Sequence, residues 1–201
     1  MTARDPNIET DVRAMVQRIV DGLLEGEISD PTTLSEPEEV QSSDDPEATT
    51  LSTIAIGADH GGFPMKERIA FKLKEQGYDV LDCGTTSTEA VDYPDFAVSV
   101  ARKVASGKAE VGIMVDGAGI GSAMAANKVS GIRAALCYDV STARNAREHN
   151  HANVLTLGAG LIGEGLAWQI TQEFLATPYG PGRHARRVEK IDALDSVGAR
   201  R

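Results

Sequence analysis

The chain has 201 residues, a formal net charge of −10 and 41% apolar residues, with aromatics at only 4%. That composition supports one ordinary domain with an aliphatic core, plus an appendage. Residues 1–50 carry 13 acids against 3 bases while residues 51–201 carry 17 of each, so the folded part is neutral and has no basic stripe for nucleic acid; no apolar run approaches the ~20 residues of a membrane span.

Residues 7–24 read as an amphipathic helix. Ile8, Val12, Met15, Val16, Ile19, Val20, Leu23 and Leu24 recur on one side, and charged residues occupy the other. Such a short helix is marginal alone and needs a surface for its stripe. Residues 25–50 hold nine acids, no Lys or Arg, and many Ser, Thr and Pro. That composition cannot offset its chain entropy by burial, so it predicts a disordered linker. The expected organisation is a helix within 1–26, an acidic linker over 27–50 and a folded domain over 51–201.

From Leu51 strands and helices alternate. Strands are expected at 52–57, 78–83, 111–116, 132–137 and 153–158. Helices are expected at 65–77, 94–107, about 141–148, 163–176 and 183–194. Pro94 suits a helix start, and Gly77 and Gly107 suit helix ends. The nearly unbroken apolar run VGIMVD suits a strand covered on both faces. The order predicts a Rossmann-like α/β fold with a doubly wound, five-stranded parallel sheet. Ligands in such sheets collect beyond the carboxyl ends of the strands, here just after residues 57, 116 and 137 and near 158.

Polar groups gather at those places. The first strand runs into Gly57-Ala58-Asp59-His60-Gly61-Gly62; the bland reading is a turn with a capping Asp59. The third runs into Asp116-Gly117-Ala118-Gly119-Ile120-Gly121-Ser122. Its alternate glycines let backbone approach a ligand, and the helix after it offers free N–H groups to an anion. The spacing is not the dinucleotide GxGxxG, so no such cofactor is expected. Between the fourth and fifth strands, His149 is a candidate proton carrier. Arg183 and Arg187 stand four apart at a helix start, a spacing that suits a phosphate or, more plainly, a solvated basic face. Cys83 and Cys137 are too few for a disulfide framework and read as buried thiols. No secretory signal is visible, so the expected compartment is the cytoplasm.

Together GADHGG, VDYPDFA, DGAGIGSAMAANKVSGIRAALC, TARNAREHNHANVLTLG and GRHARRV resemble the type B ribose-5-phosphate isomerases and the related galactose-6-phosphate isomerase subunits. The resemblance implies an aldose–ketose isomerase of sugar phosphates, most directly ribose 5-phosphate to ribulose 5-phosphate. It also implies a homodimer or tetramer with active sites shared between subunits, and neither metal nor cofactor. Asp59 and His60 would touch the substrate's ring and phosphate regions, and Tyr93 would line the sugar site. His149 would open the ring beside Asn150. His60, Arg183 and Arg187 would hold the phosphate. Gly117, Gly119 and Gly121 would bind the enediolate oxygens through their N–H groups.

The chain departs from the family pattern at three places. Asp116 stands where many members have a cysteine base, Ala118 where a Thr or Ser helps the oxyanion, and Gly160 where an Arg often stands. A carboxylate can carry out the same proton transfer, which makes Asp116 the expected base. The alternative is a catalytically silent sugar-phosphate-binding or scaffold subunit. The extension over 7–24 resembles an encapsulation peptide that brings cargo to the shell or cargo proteins of a bacterial microcompartment. An oligomerisation helix, or one folded back on the domain, are the plainer readings.

Overall fold

The computed structural model describes residues 53–180 and 182–195. The helix expected at 7–24 and the acidic linker at 27–50 lie outside the described residues.

The strands are β1 (Thr53–Ala58), β2 (Asp79–Asp82), β3 (Val111–Asp116), β4 (Ala134–Leu136) and β5 (Val154–Gly158). The helices, here numbered α1 to α6, are α1 (Phe63–Glu75), α2 (Tyr93–Ala105), α3 (Ile120–Ala126), α4 (Val140–Asn150), α5 (Glu164–Ala176) and α6 (Gly182–Asp192). All four strand pairings are parallel, in the order β2-β1-β3-β5-β4. The doubly wound sheet is therefore as the alternating pattern predicts.

Period-two alternation explains the two-sided cover. Ile54 and Ile56 of β1, Ile113 and Val115 of β3, and Leu155 and Leu157 of β5 join Ile69, Leu73, Ala143, Ile170 and Phe174 in one core. Ala55, Met114 and Val154 face the other way, onto Ala97, Val100, Ala101 and Val104 of α2 and Ala126 of α3. Every residue of β3 is buried, as its continuous apolar run requires. β4 is shorter than the expected 132–137 because it is an edge strand paired only with β5.

The chain reverses direction across the sheet between β1 and β3, which are neighbours although β2 intervenes in sequence. A crevice beyond their carboxyl ends follows from that crossover. Its walls are the β1–α1 turn with Asp59 and His60, and the β3–α3 turn with Asp116.

One buried charge braces the first wall. The Lys66 side chain has no exposure, and its Nζ donates to both carboxylate oxygens of Asp82 (2.7 and 2.9 Å) and to Thr85 O (3.1 Å). It also pairs with Glu67 at 2.9 Å. The helix periodicity that predicts α1 gives no sign of this, because lysine is normally read as a solvated position. Lys66→Ala is expected to lower stability by about 2–4 kcal/mol, less than a fully buried pair because Asp82 keeps water on one side. Lys66→Met keeps the volume and should recover more than half of that loss. Urea unfolding of the full chain measures both; equal losses for Ala and Met would make the charge, not the packing, the stabilising element.

Candidate active site

Asp116 ends β3, pairs with Gly158 of β5 and is 4% exposed. Its carboxylate collects donors from its own turn. Oδ1 accepts from the N–H of Ala118 (2.8 Å) and of Gly119, and Oδ2 accepts from the N–H (3.2 Å) and hydroxyl of Ser122. The sequence shows the glycines but not this closure, so the Gly119 N–H that the resemblance assigns to an enediolate donates instead to Asp116. The N–H groups of Gly117 and Gly121 are not among the donors to this carboxylate.

The turn is held from behind. Gly160 N–H donates to Gly117 O (3.0 Å), the Tyr138 hydroxyl to Ala118 O (2.8 Å), and the Thr156 hydroxyl to Gly119 O (2.9 Å). Gly119 sits at φ 76°, a left-handed conformation that side chains resist. A Cβ on Gly121 would fall 2.5–2.6 Å from the Tyr93 ring, so this glycine lets the tyrosine lie flat against the turn. Tyr93 is 38% exposed and opens α2.

Across the crevice, Asp59 is buried and accepts from Gly62 N–H at 2.8 Å. Its own N–H reaches Val115 O at 3.2 Å, tying the β1 turn to the end of β3. His60 is half-buried. Its Nδ1 lies within hydrogen-bond distance of both the Val91 N–H (3.2 Å) and the Val91 carbonyl (3.3 Å), which fixes the ring against the loop before α2. Asp59 thus serves the backbone of the turn that leads into α1.

His149, Asn150, Arg183 and Arg187 form a second group. The His149 ring stacks on His184 with centroids 4.2 Å apart. Asn145 Nδ2 lies 2.8 Å from His149 Nδ1, and His149 Nε2 lies 3.5 Å from Glu148 Oε1. Asn150 Nδ2 donates back to Asn145 O and Oδ1, each at 3.3 Å. Arg183 and Arg187 are exposed on the first turns of α6, and Arg183 Nε reaches His184 Nε2 at 3.4 Å. Partial desolvation, then the neighbouring His149, Arg183 and Arg187 charges, hold His184 below the usual imidazole range. Asn145 and His184 were not singled out from the sequence. The i, i+4 spacing of Asn145 and His149 was the available signal for the first; no local signal pairs 149 with 184.

The two groups do not meet in one chain. α4 leaves the carboxyl edge of β4, runs back along the sheet, and ends at Asn150, just before Val154 opens β5. Asp116 lies level with Gly158 at the other end of β5. Four strand steps, about 13 Å, separate those edges.

Neither cysteine replaces the thiol base. Burial pushes the Cys137 thiol up to about 11 and also raises that of Cys83, so both remain protonated at neutral pH. Among the described residues, no group of three or more His, Cys, Asp or Glu side chains is placed to hold a metal ion.

Residues 54–191 match a family model described as Ribose/Galactose Isomerase. Ribose-5-phosphate isomerase B of Escherichia coli K12 is 43% identical over 145 residues, covering 72% of this chain and 97% of that protein. Galactose-6-phosphate isomerase subunit LacB of Clostridium acetobutylicum is 43% identical over 142 residues, covering 70% of this chain and 82% of its own. The solved structure of ribose-5-phosphate isomerase B from Clostridium thermocellum superposes with a TM-score of 0.72 at 48% identity, covering 73% of this chain and 99% of that one.

Proposed function

Because the chain belongs to the ribose/galactose isomerase family, we propose that it interconverts ribose 5-phosphate and ribulose 5-phosphate, with Asp116 moving the proton between adjacent carbons through an enediolate. The observation that carries this reading is the carboxylate at the end of β3, set in a glycine-lined turn beneath Tyr93 and beside Asp59 and His60. A carboxylate there occupies the place of a base that must reach two neighbouring carbons from one side. His149 opens the sugar ring. His60, Arg183 and Arg187 supply cationic or donor contacts to the phosphate.

Asp116 and His149 lie on opposite edges of one sheet, so the complete site takes one group from each of two copies in a homodimer, or a tetramer built from such dimers. Gly160 leaves no charge beside the turn, and Ala118 supplies no hydroxyl. These two absences make sugar length and phosphate placement the open variables among relatives named for pentose and hexose phosphates.

A coupled assay across pentose and hexose phosphates tests the reading. Turnover highest on ribose 5-phosphate supports it; turnover highest on a hexose phosphate reassigns the substrate. A second reading has its own observation: both Asp116 oxygens are satisfied by the turn itself, as in a brace. Binding of sugar phosphates without any turnover would establish that silent subunit.

Residues 7–24, with their apolar stripe and acidic linker, support a docking role for the extension, by helix-in-groove burial on microcompartment shell or cargo proteins. Residues 1–26 fused to a fluorescent reporter should then co-purify with shells, and a reporter left diffuse would overturn this.

A further inference from the structure

Ser122 is the third residue of α3, is fully buried, and places its hydroxyl on Oδ2 of Asp116. An ionised carboxylate offers about four acceptor positions, and here four donors fill them. A proton arriving from substrate needs one position vacated. Three of the donors are main-chain amides in a turn whose carbonyls are tied by Gly160, Tyr138 and Thr156. They cannot turn aside. The fourth is a hydroxyl, which rotates freely about its C–O bond.

A helical serine has a second set of acceptors in the carbonyls of the preceding turn. The Thr171 hydroxyl within α5 uses one in the same way, donating to Ala167 O at 2.8 Å. We propose that Ser122 is a positioning residue for the proton transfer, its hydroxyl donating to Oδ2 while Asp116 is ionised and rotating away to accept from Oδ2–H once the proton has arrived. The inference rests on Asp116 as the base. In the step, a substrate C–H bond breaks, an O–H bond forms at Oδ2, and the electron pair stays on the substrate as the enediolate. The reverse at the adjacent carbon returns the proton, so the enzyme is unchanged. A serine is suited to both halves because one hydroxyl is donor and acceptor; an amide N–H is donor only.

Other titratable groups surround the carboxylate. Asp59 and His60 close the end of β1, Tyr93 covers the turn from α2, and Tyr138 reaches it from beyond β4. Residues 159–163, which follow β5, contain none. These groups are common to the parent and to a Ser122 variant, so the difference between the two isolates the hydroxyl.

The test is Ser122→Ala in the full chain, read by the pH profile of kcat/KM and by the carboxyl carbon resonance of Asp116 in the free protein. Removing a donor penalises the ionised form. The acid limb and the midpoint of the resonance should both move to higher pH by about one unit. KM should stay within about twofold, since Ser122 does not touch substrate. If limb and resonance stay where they are in the parent, the role of Ser122 is overturned while Asp116 as base stands. If the resonance moves in a chain that turns over no sugar phosphate, the coupling of Ser122 to Asp116 holds and the isomerase reading falls instead.

Discussion

Asp116→Asn is expected to lower kcat by about 10²–10⁴-fold on the best sugar phosphate, the usual contribution of a positioned base. The structure makes this substitution do two things at once. Asparagine presents one carbonyl oxygen and one NH₂: with the NH₂ at the Oδ1 position the Ala118 and Gly119 amides face a donor, and with it at the Oδ2 position only the Ser122 amide does, because the Ser122 hydroxyl can turn to accept. Leaving a buried amide unpaired should lower stability by about 1–3 kcal/mol. The two effects are separable. If Asp116 is the base, kcat falls far more than the loss of folded protein accounts for, and exchange of the substrate's C2 hydrogen with solvent stops. If Asp116 only braces the turn, kcat per folded molecule is retained and only the urea midpoint falls. Measuring both on one preparation decides between enzyme and silent subunit.

Most of the frame was legible because its signals are local. Pro94 at the head of α2, Gly77 and Gly107 just past α1 and α2, and the apolar run of β3 each act within a few residues. The strand order follows once the elements alternate, since parallel crossovers leave few alternatives. The site was half legible. Asp59, His60, Tyr93 and Asp116 fall at the carboxyl edge, as the switch-point rule expects. What the linear sequence hid are partners set by the third dimension. Lys66 looks like a surface lysine of α1 until β2 brings Asp82 over it. His184 gains His149 only when α6 folds back on the end of α4. Ser122 reads as a helix residue, and only the tight turn at Gly119 curls it onto Asp116. Electrostatic closure of this kind depends on angles and has no sequence period.

The separation of the two polar groups leads to the other large effect. His149→Ala should cost turnover about as much as losing a positioned proton carrier does, about 10²–10⁴-fold, and Arg187→Ala should raise KM. Neither side chain is near Asp116 in its own chain, because β5 runs between them. In a twofold dimer the carboxyl edge of one copy must then meet the α4–α6 end of the other, twice. Chains carrying Asp116→Asn and chains carrying His149→Ala, each nearly inactive, should regain about a quarter of parental activity when unfolded together and refolded as random twofold dimers. Half of the dimers are mixed, and each mixed dimer has one site free of both substitutions and one site with both. His149→Ala mixed with Arg187→Ala should regain nothing comparable, since both belong to the same half and every site keeps one defect. No recovery in the first mixture would mean that the working site is closed within a single chain, and recovery in the second would mean that His149 and Arg187 come from different copies; either result overturns the edge-to-edge assignment.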